Sequence, residues 1–393
     1  MTRVDNVVIA LADSPQIGRQ HTAAALAGME MRVADVGKQR QDLYATTGVG
    51  IAAAPTSARD AVAPFIAADI GGTHARVGLV VADHGGARPV RVLHYHRYRC
   101  AEWANLTSLL QHFLEELASM PAVAGTRVSR CVVACAGYVL DERIVNENLP
   151  WPVSVRAIRE HLGIAQIEVL NDFAAVAWAT QCIGASETRV IIDAPPPATP
   201  GPVLVMGPGT GLGSAVWLPG PPRPRVLSTE AGQVSLAPGN ARERAILGVL
   251  ARERDYVSFE DALSGPGLLH LYRAICELDC RAPALMTPAT ITHAALADAD
   301  AAAVEAVQVF CGLLGSFAGD LVLLYGASGG VYLAGGILPQ ILPLLLASTF
   351  AERYFNKGVM RAYLQQVPVR LIEHGQLGVI GAALWYLDER CGG

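Results

Sequence analysis

The sequence predicts an α/β fold with two related halves around a cleft, and three observations favour this prediction. Strand-like and helix-like segments follow from Phe65 in the order strand, strand, strand, helix, strand, helix, strand, helix, which is typical of a partly parallel sheet. Two units of strand, glycine turn and strand, around Gly71 and around Gly209, give the two halves a weak internal likeness. The length of 393 residues suits two domains, and 52% hydrophobic against 17% charged residues provides a large core.

The composition excludes several classes of function. A formal net charge of -5, from 30 basic and 35 acidic residues, gives no basic stripe of the kind that nucleic acid requires. The two lysines, Lys38 and Lys357, lie in neither a Walker-type phosphate motif nor a Schiff-base motif. The eight cysteines include no Cys-x-x-Cys pair, so we expect reduced, buried thiols in a cytoplasmic protein without structural zinc.

Two apolar segments were candidates for membrane or targeting sequences, and neither has the required pattern. The run Val7–Ala12 is too short for a signal peptide. The segment Leu321–Ala351 carries no charge, but its five glycines and two prolines favour a buried strand flanked by glycine turns and helices. Residues 1–64 show no clear run of strands, and we expect them to form a weakly ordered extension.

The elements of the first half begin at Phe65. The segment FIAADIGG is a predicted strand, and the hairpin turn Gly71–His74 leads into a second strand, ARVGLVVAD. VRVLHYHRY alternates as a third strand, and Trp103–Met120 has apolar residues at helical spacing. Strands in RVSRCVVACAG and QIEVL follow, and the latter ends at Asn171 and Asp172 before the helix FAAVAWATQC.

The second half begins after the proline-rich segment 195–202. PVLVMGPGTGLGSAVWL is a predicted strand, glycine turn and strand, GVYLAGG is a later strand, and GVIGAALWYLDE is the final helix. Further helices are predicted at Ala241–Arg254, Phe259–Leu263, Pro266–Cys280 and Asp298–Leu324.

The first glycine turn joins Asp69 to Gly71, Gly72 and Thr73. Glycines let backbone N–H groups approach phosphate oxygens, the threonine hydroxyl can donate, and a carboxylate can hold a hydrated Mg²⁺ ion. A plain type I′ hairpin, which needs glycine for its backbone alone, accounts for the same residues. The turn by itself leaves both interpretations open.

The second glycine turn runs from Gly207 to Gly213 and has Thr210 at its centre. It is not a dinucleotide-binding fingerprint, because Ser214 and Leu212 stand where that pattern requires glycine. It also lacks the lysine of a P-loop. Two such hairpins in one chain, each with a central threonine, indicate a clamp on the β- and γ-phosphates of a nucleotide.

Three acidic side chains are candidates for work on a substrate hydroxyl. Asn171 and Asp172 are good helix N-caps, but a carboxylate at the carboxyl edge of a sheet could also accept a proton from an attacking hydroxyl. Glu230 and Glu260, in turn-like segments, could each accept paired hydrogen bonds from adjacent sugar hydroxyls, or be solvated glutamates.

Six segments together resemble the bacterial glucokinases, which belong to the hexokinase-like, actin-type ATPase superfamily. ADIGGTHARVGL and VMGPGTGLGSA resemble the two phosphate motifs of that family, and VLNDFAAVAWA resembles its catalytic-aspartate segment. TEAGQVSLAP and LSGPGLLHLYRA resemble its sugar-side segments, and GVYLAGGILP its adenosine motif. Order and spacing agree from about Phe65 to the C-terminus, so residues 1–64 lie outside the resemblance.

The resemblance implies two actin-like, ribonuclease H-like domains with a cleft between them, at 65–182 and 183–376, with a C-terminal helix at 377–393 returning to the first. It implies that Asp172 is the general base and that Asp69 faces Mg²⁺ through water. It also implies contacts to the sugar from Asn148, Asn171, Glu230, Gln233 and Glu260, and to ATP from Gly71, Gly72, Thr73, Gly209, Thr210, Gly211, Gly335 and Gly336.

The sequence departs from the family pattern at two positions. The segment around Glu230 usually runs Glu-Gly-Gly-His, whereas Gln233 stands here in place of the histidine, which leaves the sugar preference open. His74 stands where asparagine is usual, beside the phosphates. The cysteine-rich zinc segment of the related repressor and kinase group is absent from the sequence, so we expect no metal beyond Mg²⁺.

The resemblance therefore implies ATP-dependent phosphorylation of glucose to glucose 6-phosphate by a cytoplasmic homodimer that binds neither nucleic acid nor membrane. This hypothesis requires an ionised Asp172 near neutral pH. The alternatives are a kinase of another hexose, a sugar-binding regulator without useful catalysis, and an actin-like structural ATPase. The last of these would share the phosphate hairpins but would not need the sugar carboxylates.

Overall fold

The computed structural model describes residues 63–391, apart from residues 84, 87, 124, 141, 146–148, 198 and 374. Ala61–Gly393 form one compact unit. Two sequence predictions fall outside the described residues: nearly all of the N-terminal extension 1–64, and the sugar contact predicted for Asn148.

The strands and helices of the described residues are numbered in chain order. The strands are β1 (Phe65–Ile70), β2 (His74–Ala82), β3 (Val90–Arg99), β4 (Arg130–Cys135), β5 (Tyr138–Leu140), β6 (Arg143–Val145), β7 (Val153–Ser154), β8 (Gln166–Leu170), β9 (Thr188–Ile192), β10 (Val203–Pro208), β11 (Leu212–Leu218), β12 (Arg225–Thr229), β13 (Gly330–Leu333) and β14 (Val369–Ile372). The helices are α1 (Leu106–Ser119), α2 (Val155–Leu162), α3 (Asp172–Ala179), α4 (Ala241–Leu250), α5 (Gly265–Leu278), α6 (Pro288–Leu296), α7 (Ala301–Tyr325), α8 (Leu342–Ala347), α9 (Phe350–Phe355), α10 (Arg361–Leu364) and α11 (Leu377–Cys391).

The first sheet has the strand order β3-β2-β1-β4-β8. Its strands β1, β4 and β8 are parallel, and β2 and β3 add antiparallel strands at the other side. The predicted hairpin is present, because the Gly71 N–H donates to the His74 carbonyl oxygen over 3.0 Å and closes a turn between β1 and β2. Strands β1 and β4 are almost wholly buried, as expected for central parallel strands that are covered on both faces.

The second sheet repeats the plan of the first. Its order is β12-β11-β10-β13-β14-β9, in which β10 pairs antiparallel with β11 and parallel with β13, as β1 does with β2 and β4. The strands β5, β6 and β7 form a small third sheet. The predicted α/β class with two related, partly parallel sheets is therefore confirmed.

Helices α3 and α11 pack against each other between the two sheets. Helix α11 contacts β1, β2 and β4, whereas α3 contacts β10, β11 and β12. One core cluster accordingly contains residues of both sheets, including Val132 from the first and Val205 from the second. The two helices approach so closely that a Cβ atom on Gly381 would lie 1.7 Å from the Ala175 carbonyl oxygen. Only a residue without a side chain fits there.

Helix α7 is long and apolar enough to span a membrane by length and composition, but 72% of its apolar window is buried inside the protein. It packs against α5, α6 and α9. Three glycines on one side, Gly312, Gly315 and Gly319, face the segment 349–357, and a Cβ on Gly315 would lie 2.2 Å from the Phe350 carbonyl oxygen. The helix is thus a core element, and the segment 321–351 that follows contains the predicted buried strand, β13.

One predicted helix is wrong and several elements were not predicted. Phe259–Leu263 forms turns, because the N–H groups of Phe259 and Glu260 donate to carbonyl oxygens of residues 234 and 232 rather than along a helix. The Asp261 carboxylate also accepts from the Ser258 N–H over 2.9 Å, which favours a local turn. Helix α8 is one of the helices predicted to flank the strand in the segment 321–351, and the unpredicted elements are α2, α6, α9, α10, β5, β6, β7, β9, β12 and β14.

The Gly381 contact gives a test of the layer between the sheets. We expect Gly381→Ala to lower the free energy of unfolding by about 1–3 kcal/mol or more, because the added methyl group meets backbone that cannot rotate away. Gly248→Ala, in helix α4, is the matched control, since nothing lies within 4 Å of its Cβ position and alanine favours helix. Urea denaturation of both variants measures the difference; equal stability would contradict the packing described.

Candidate active site

Asn171 and Asp172 lie where β8 passes into α3. Asn171 is the N-cap of the helix, and its side-chain oxygen accepts from the Ala174 N–H over 3.0 Å. Asp172 is the first residue of the helix, and its Oδ1 accepts from the Phe173 N–H over 2.9 Å. The capping interpretation thus accounts for the Asn171 oxygen, whereas Asp172 lies at the carboxyl edge of the sheet, where α/β folds bind substrates.

A second carboxylate, Asp69, lies at the same edge of the sheet. It is the last but one residue of strand β1. Strands β1 and β8 both pair with β4. The two strands are therefore separated by two strand spacings, or about 10 Å. Asp69 is paired with Arg76, whose Nη1 donates to Oδ2 over 3.0 Å. Burial raises the pKa of Asp69, and Arg76 opposes that change.

The surroundings of Asp172 make it a titrating group near neutrality. Burial is the largest cause, and the negative charges of Asp69 and Glu230 add to it, so that the pKa rises from 3.8 to about 7, although the Phe173 N–H opposes the change. The pKa of the Cys135 thiol, at the end of β4, rises to about 12, chiefly by burial and also through Asp172 and Asp69. The pKa of the predicted base is therefore close to neutral pH, where a general base is most effective.

The first glycine turn places Thr73 at an exposed hairpin tip. Gly71 and Gly72 precede it and are partly exposed, and the Thr73 carbonyl oxygen accepts from the Cys100 N–H over 3.0 Å. His74 follows, and its Nε2 lies 3.1 Å from Nη2 of Arg97. Burial and the guanidinium groups of Arg97, Arg76 and Arg99 lower the pKa of His74, so this side chain is neutral at pH 7.

The second glycine turn, Gly209-Thr210-Gly211, is a matching hairpin tip between β10 and β11. The Gly209 N–H donates to the Gly211 carbonyl oxygen over 2.7 Å, and Thr210 is exposed. The glycine pair predicted to face the nucleotide, Gly335 and Gly336, follows the adjacent strand β13 and is exposed. Gly335 has a φ of +97°, and its Cβ would lie 2.2 Å from the Pro208 carbonyl oxygen, so the site requires glycine.

Glu260 connects the second turn to the sugar-side segment. Its Oε2 accepts from the Leu212 N–H over 2.7 Å, and its Oε1 accepts from Nε2 of Gln233 over 3.0 Å. Glu230 begins the short turn that contains Gln233, and its carbonyl oxygen accepts the Gln233 N–H over 3.0 Å. Glu260, predicted to contact the sugar, is therefore hydrogen-bonded to the residue that directly follows the predicted phosphate turn.

Phe173 connects Asp172 to the strand that follows the second glycine turn. A Cβ on Gly213, in β11, would lie 2.0 Å from its ring, so Phe173 packs flat against the strand that leaves the second turn. The side chain beside Asp172 thus contacts the second sheet. The sequence analysis did not identify Phe173, Arg76 or Leu212, although the hairpin turn at 71–74 already places Arg76 opposite Asp69.

The comparisons with known proteins agree on one family. A family model described as Glucokinase matches residues 66–389. A glucokinase-like protein of Xylella fastidiosa (strain 9a5c) is 46% identical over 341 residues, which cover 86% of this chain and 99% of that protein. The glucokinase of Saccharophagus degradans is 36% identical over 336 residues, covering 83% and 98%. The chain belongs to the glucokinase family.

Solved structures agree with this membership. The crystal structure of a glucokinase from an Antarctic psychrotroph matches with a TM-score of 0.70 at 34% identity, over 82% of this chain and 98% of that one. A glucokinase of the ROK family from Streptomyces griseus, in complex with glucose and AMPPNP, matches in fold with a TM-score of 0.52 at 21% identity, over 84% and 100%. The chain is thus a kinase with the actin-like fold of the glucokinases, as the sequence predicted. The roles of individual residues stay predictions.

The raised pKa of Asp172 makes a prediction about stability. Because the folded-state pKa lies above the unfolded value, the folded state binds the proton more tightly, and stability is lost as the pH rises towards and through 7. We expect Asp172→Asn to be more stable than the wild type by an amount that is small at pH 5 and grows to about 1–4 kcal/mol at pH 8, at about 1.4 kcal/mol per pKa unit between 3.8 and about 7.

Urea denaturation at both pH values measures this difference. Asp193→Asn is the control, because Asp193 is an exposed carboxylate and should give the same change at both values. An Asp172→Asn variant that is no more stable than the wild type at pH 8 would contradict the electrostatic account of the site.

Proposed function

We propose that this member of the glucokinase family transfers the γ-phosphoryl group of ATP to the primary hydroxyl of glucose, with Asp172 as the general base. The observation that carries the proposal is the position of the Asp172 carboxylate, whose pKa is about 7, at the carboxyl edge of the first sheet and in electrostatic reach of Asp69 and Glu230. The glucose and AMPPNP named for the Streptomyces griseus structure support the choice of ligands.

In the proposed reaction the sugar oxygen forms a bond to the γ-phosphorus while the bond from that phosphorus to the β–γ bridging oxygen breaks. The hydroxyl proton passes to Asp172, and ADP leaves. Asp172 suits this step because its pKa is close to neutral pH, so an appreciable fraction is ionised and the protonated form is also stable. The Phe173 N–H, which donates to Oδ1, orients the carboxylate.

The two hairpin tips are the proposed phosphate contacts. Thr73 with Gly72, and Thr210 with Gly211, would offer hydroxyl and backbone N–H donors of the kind that bind phosphate, while the N–H groups of Gly71 and Gly209 close the two turns. The exposed pair Gly335 and Gly336 is the proposed nucleotide contact, and Gly335 packs against Pro208 at the end of β10. Backbone donors suit this task because they stabilise charge on the transferred group without a change of position.

Asp69 is the proposed ligand, through water, of the Mg²⁺ ion that accompanies ATP. The fit is supported by the chemistry of the site, since Mg²⁺ keeps several waters and prefers one or two carboxylates beside substrate phosphates. Such an ion would offset the charge of the phosphate oxygens. The Arg76 guanidinium, hydrogen-bonded to Oδ2, restrains the carboxylate and balances its negative charge.

The proposed sugar contacts are Glu230, Glu260 and Gln233, with Asn171 and Asn148. The shared hydrogen bond of Glu260 and Gln233 supports a joint role, because paired acceptors and donors recognise adjacent hydroxyl groups. The Asn171 oxygen is engaged in the helix cap, so its amide group would serve the sugar.

We further propose the domain division 65–182 and 183–376, with the C-terminal helix 377–393 on the first domain. It is supported by the placement of the first sheet within 65–170 and the second within 188–372, and by the contact of α11 with β1. Closure of the domains would exclude water and protect ATP from hydrolysis. The homodimer and the cytoplasmic location stay predictions that rest on the family resemblance.

The sugar specificity is tested by a panel of hexoses in an assay that couples ADP formation to a visible signal, with ATP and Mg²⁺. We expect glucose to give the highest kcat/KM, with mannose and fructose lower, and no ADP formation without sugar. Equal or better turnover of another hexose would favour the alternative that Gln233 suggests, a kinase of a different sugar. Glucose 6-phosphate is identified as the product by its oxidation with a specific dehydrogenase.

The base is tested by Asp172→Asn. We expect kcat to fall by about 10²–10⁴-fold, the usual contribution of general base catalysis, while glucose binding measured by calorimetry is largely retained. For the wild type, kcat/KM should rise with pH through about 7 and then level off, since the base must lose its proton, and this rise should be absent from the residual activity of the variant.

Asp193→Asn, at an exposed position, is the control and should retain full activity. A variant at Asp172 that keeps wild-type turnover would refute the assigned base. Sugar binding without any turnover by the wild type would instead favour a regulatory protein.

A further inference from the structure

Three histidines and one glutamate form a cluster between β3 and α1 that has no part in the proposed reaction. His94 and His96 are two residues apart on β3 and so lie on one face of the sheet, and His112 and Glu116 are four apart on one face of α1. Strand β3 is the edge strand of the first sheet. The cluster therefore joins that edge strand to the helix that covers it.

All three imidazole rings are directed at the carboxylate of Glu116. His94 Nε2 lies 3.5 Å from Oε2, and both His96 Nδ1 and His112 Nε2 lie 3.2 Å from Oε1. The ligand atoms of His94, His96 and Glu116 all lie within 4.8 Å of one another. The strand pair at i and i+2 thus faces the helix pair at i and i+4, and each of the three imidazole rings has a nitrogen within 3.5 Å of the Glu116 carboxylate.

We propose that His94, His96 and Glu116, with His112 as the fourth ligand, form a binding site for a divalent transition metal ion of the Zn²⁺ class. Bonds of about 2.0–2.1 Å in tetrahedral geometry place ligand atoms about 3.3–3.5 Å apart. The three nitrogen-to-oxygen distances lie at or close to this value.

The chemistry of the donor set selects the kind of ion. Imidazole nitrogen suits Zn²⁺ and its neighbours in the first transition row, whereas Mg²⁺ and Ca²⁺ require oxygen ligands. No thiol belongs to the cluster.

The surrounding aromatic rings hold the ligands in place. His96 stacks on Tyr98 with ring centroids 4.1 Å apart, and His112 lies 5.0 Å from the Trp103 ring. The Tyr98 hydroxyl also donates to Oε2 of Glu116 over 3.1 Å. Outer partners of this kind orient metal ligands and are usually needed for tight binding.

The cluster is open enough for an ion to enter. The His96 and His112 side chains are 43% and 45% exposed, whereas His94 and Glu116 are 22% and 24% exposed. An ion bound there would join β3 to α1 and stabilise the folded state, because the unfolded chain does not hold these ligands together. The site is independent of the proposed function and would stand if that function failed.

The experiment uses the full chain without a histidine tag, stripped of metal by a chelator. We expect equilibrium dialysis against Zn²⁺ to give one tightly bound ion per chain, and a melting temperature about 4 °C higher at a hundredfold excess over Kd. Replacement by Co²⁺ should give visible d–d bands of four-coordinate nitrogen and oxygen ligation without a thiolate charge-transfer band, which excludes binding at an exposed thiol such as Cys280.

His96→Gln should weaken Zn²⁺ binding at least about tenfold, since it removes one ligand, and His161→Gln, at a histidine outside the cluster, should leave it unchanged. Unchanged binding in His96→Gln would overturn the proposal. So would a folded wild type that takes up no ion in saturable fashion, in which case the cluster is a hydrogen-bond network around Glu116. If His96→Gln does not fold, the stoichiometry and the Co²⁺ spectrum of the wild type decide the question.

Discussion

The close packing of helix α11 is the constraint on which the site depends. A Cβ on Gly381 would lie 1.7 Å from the Ala175 carbonyl oxygen, and a Cβ on Gly378 would lie 2.5 Å from Cγ of Asp69. One helix, through two glycines three residues apart, is therefore in contact with both acid-bearing segments, β1 and α3. The positions of Asp69 and Asp172 follow from that contact, because neither segment can move without displacing the helix between the sheets.

The same packing sets the electrostatics. The carboxylates of Asp69 and Asp172, at the ends of parallel strands, are both removed from water, but the charges beside them differ. Burial raises the pKa of both carboxylates; Arg76 opposes that change at Asp69, whereas at Asp172 the charges of Asp69 and Glu230 add to it, so that the pKa of Asp172 reaches about 7. Ionisation of Asp172 therefore lowers the stability of the folded state. Such a loss is common at sites where a reactive side chain lacks the partners that would stabilise its charge.

The sequence predicted the local features of the site better than the long-range ones. Both glycine turns and the N-cap at Asn171 depend on neighbouring residues, so their patterns could be read directly, and the 71–74 turn even implies the pairing of Asp69 with Arg76. The hydrogen bond from the Leu212 N–H to Glu260 joins residues 48 positions apart, and the turn at 259–263 exists because of similar distant bonds. The histidine cluster was missed for the same reason, since only the packing of α1 on β3 brings its two halves together.

Glu260 shows how the two sides of the proposed site are coupled. One oxygen of its carboxylate accepts from the N–H of Leu212, which follows the second glycine turn, and the other accepts from the Gln233 amide. A sugar hydroxyl that bonds to Glu260 must therefore share the carboxylate with the Leu212 N–H and the Gln233 amide, or displace Gln233. Either change alters the carboxylate to which Leu212, the first residue of β11, is hydrogen-bonded. A histidine at position 233 would offer one ring N–H to such an arrangement, whereas the glutamine amide offers two N–H groups and an oxygen. Because a neutral histidine also has one acceptor nitrogen, the glutamine keeps a hydrogen bond to Glu260 and adds one N–H donor, so its effect falls on which hydroxyl pattern is preferred rather than on whether the carboxylate is oriented.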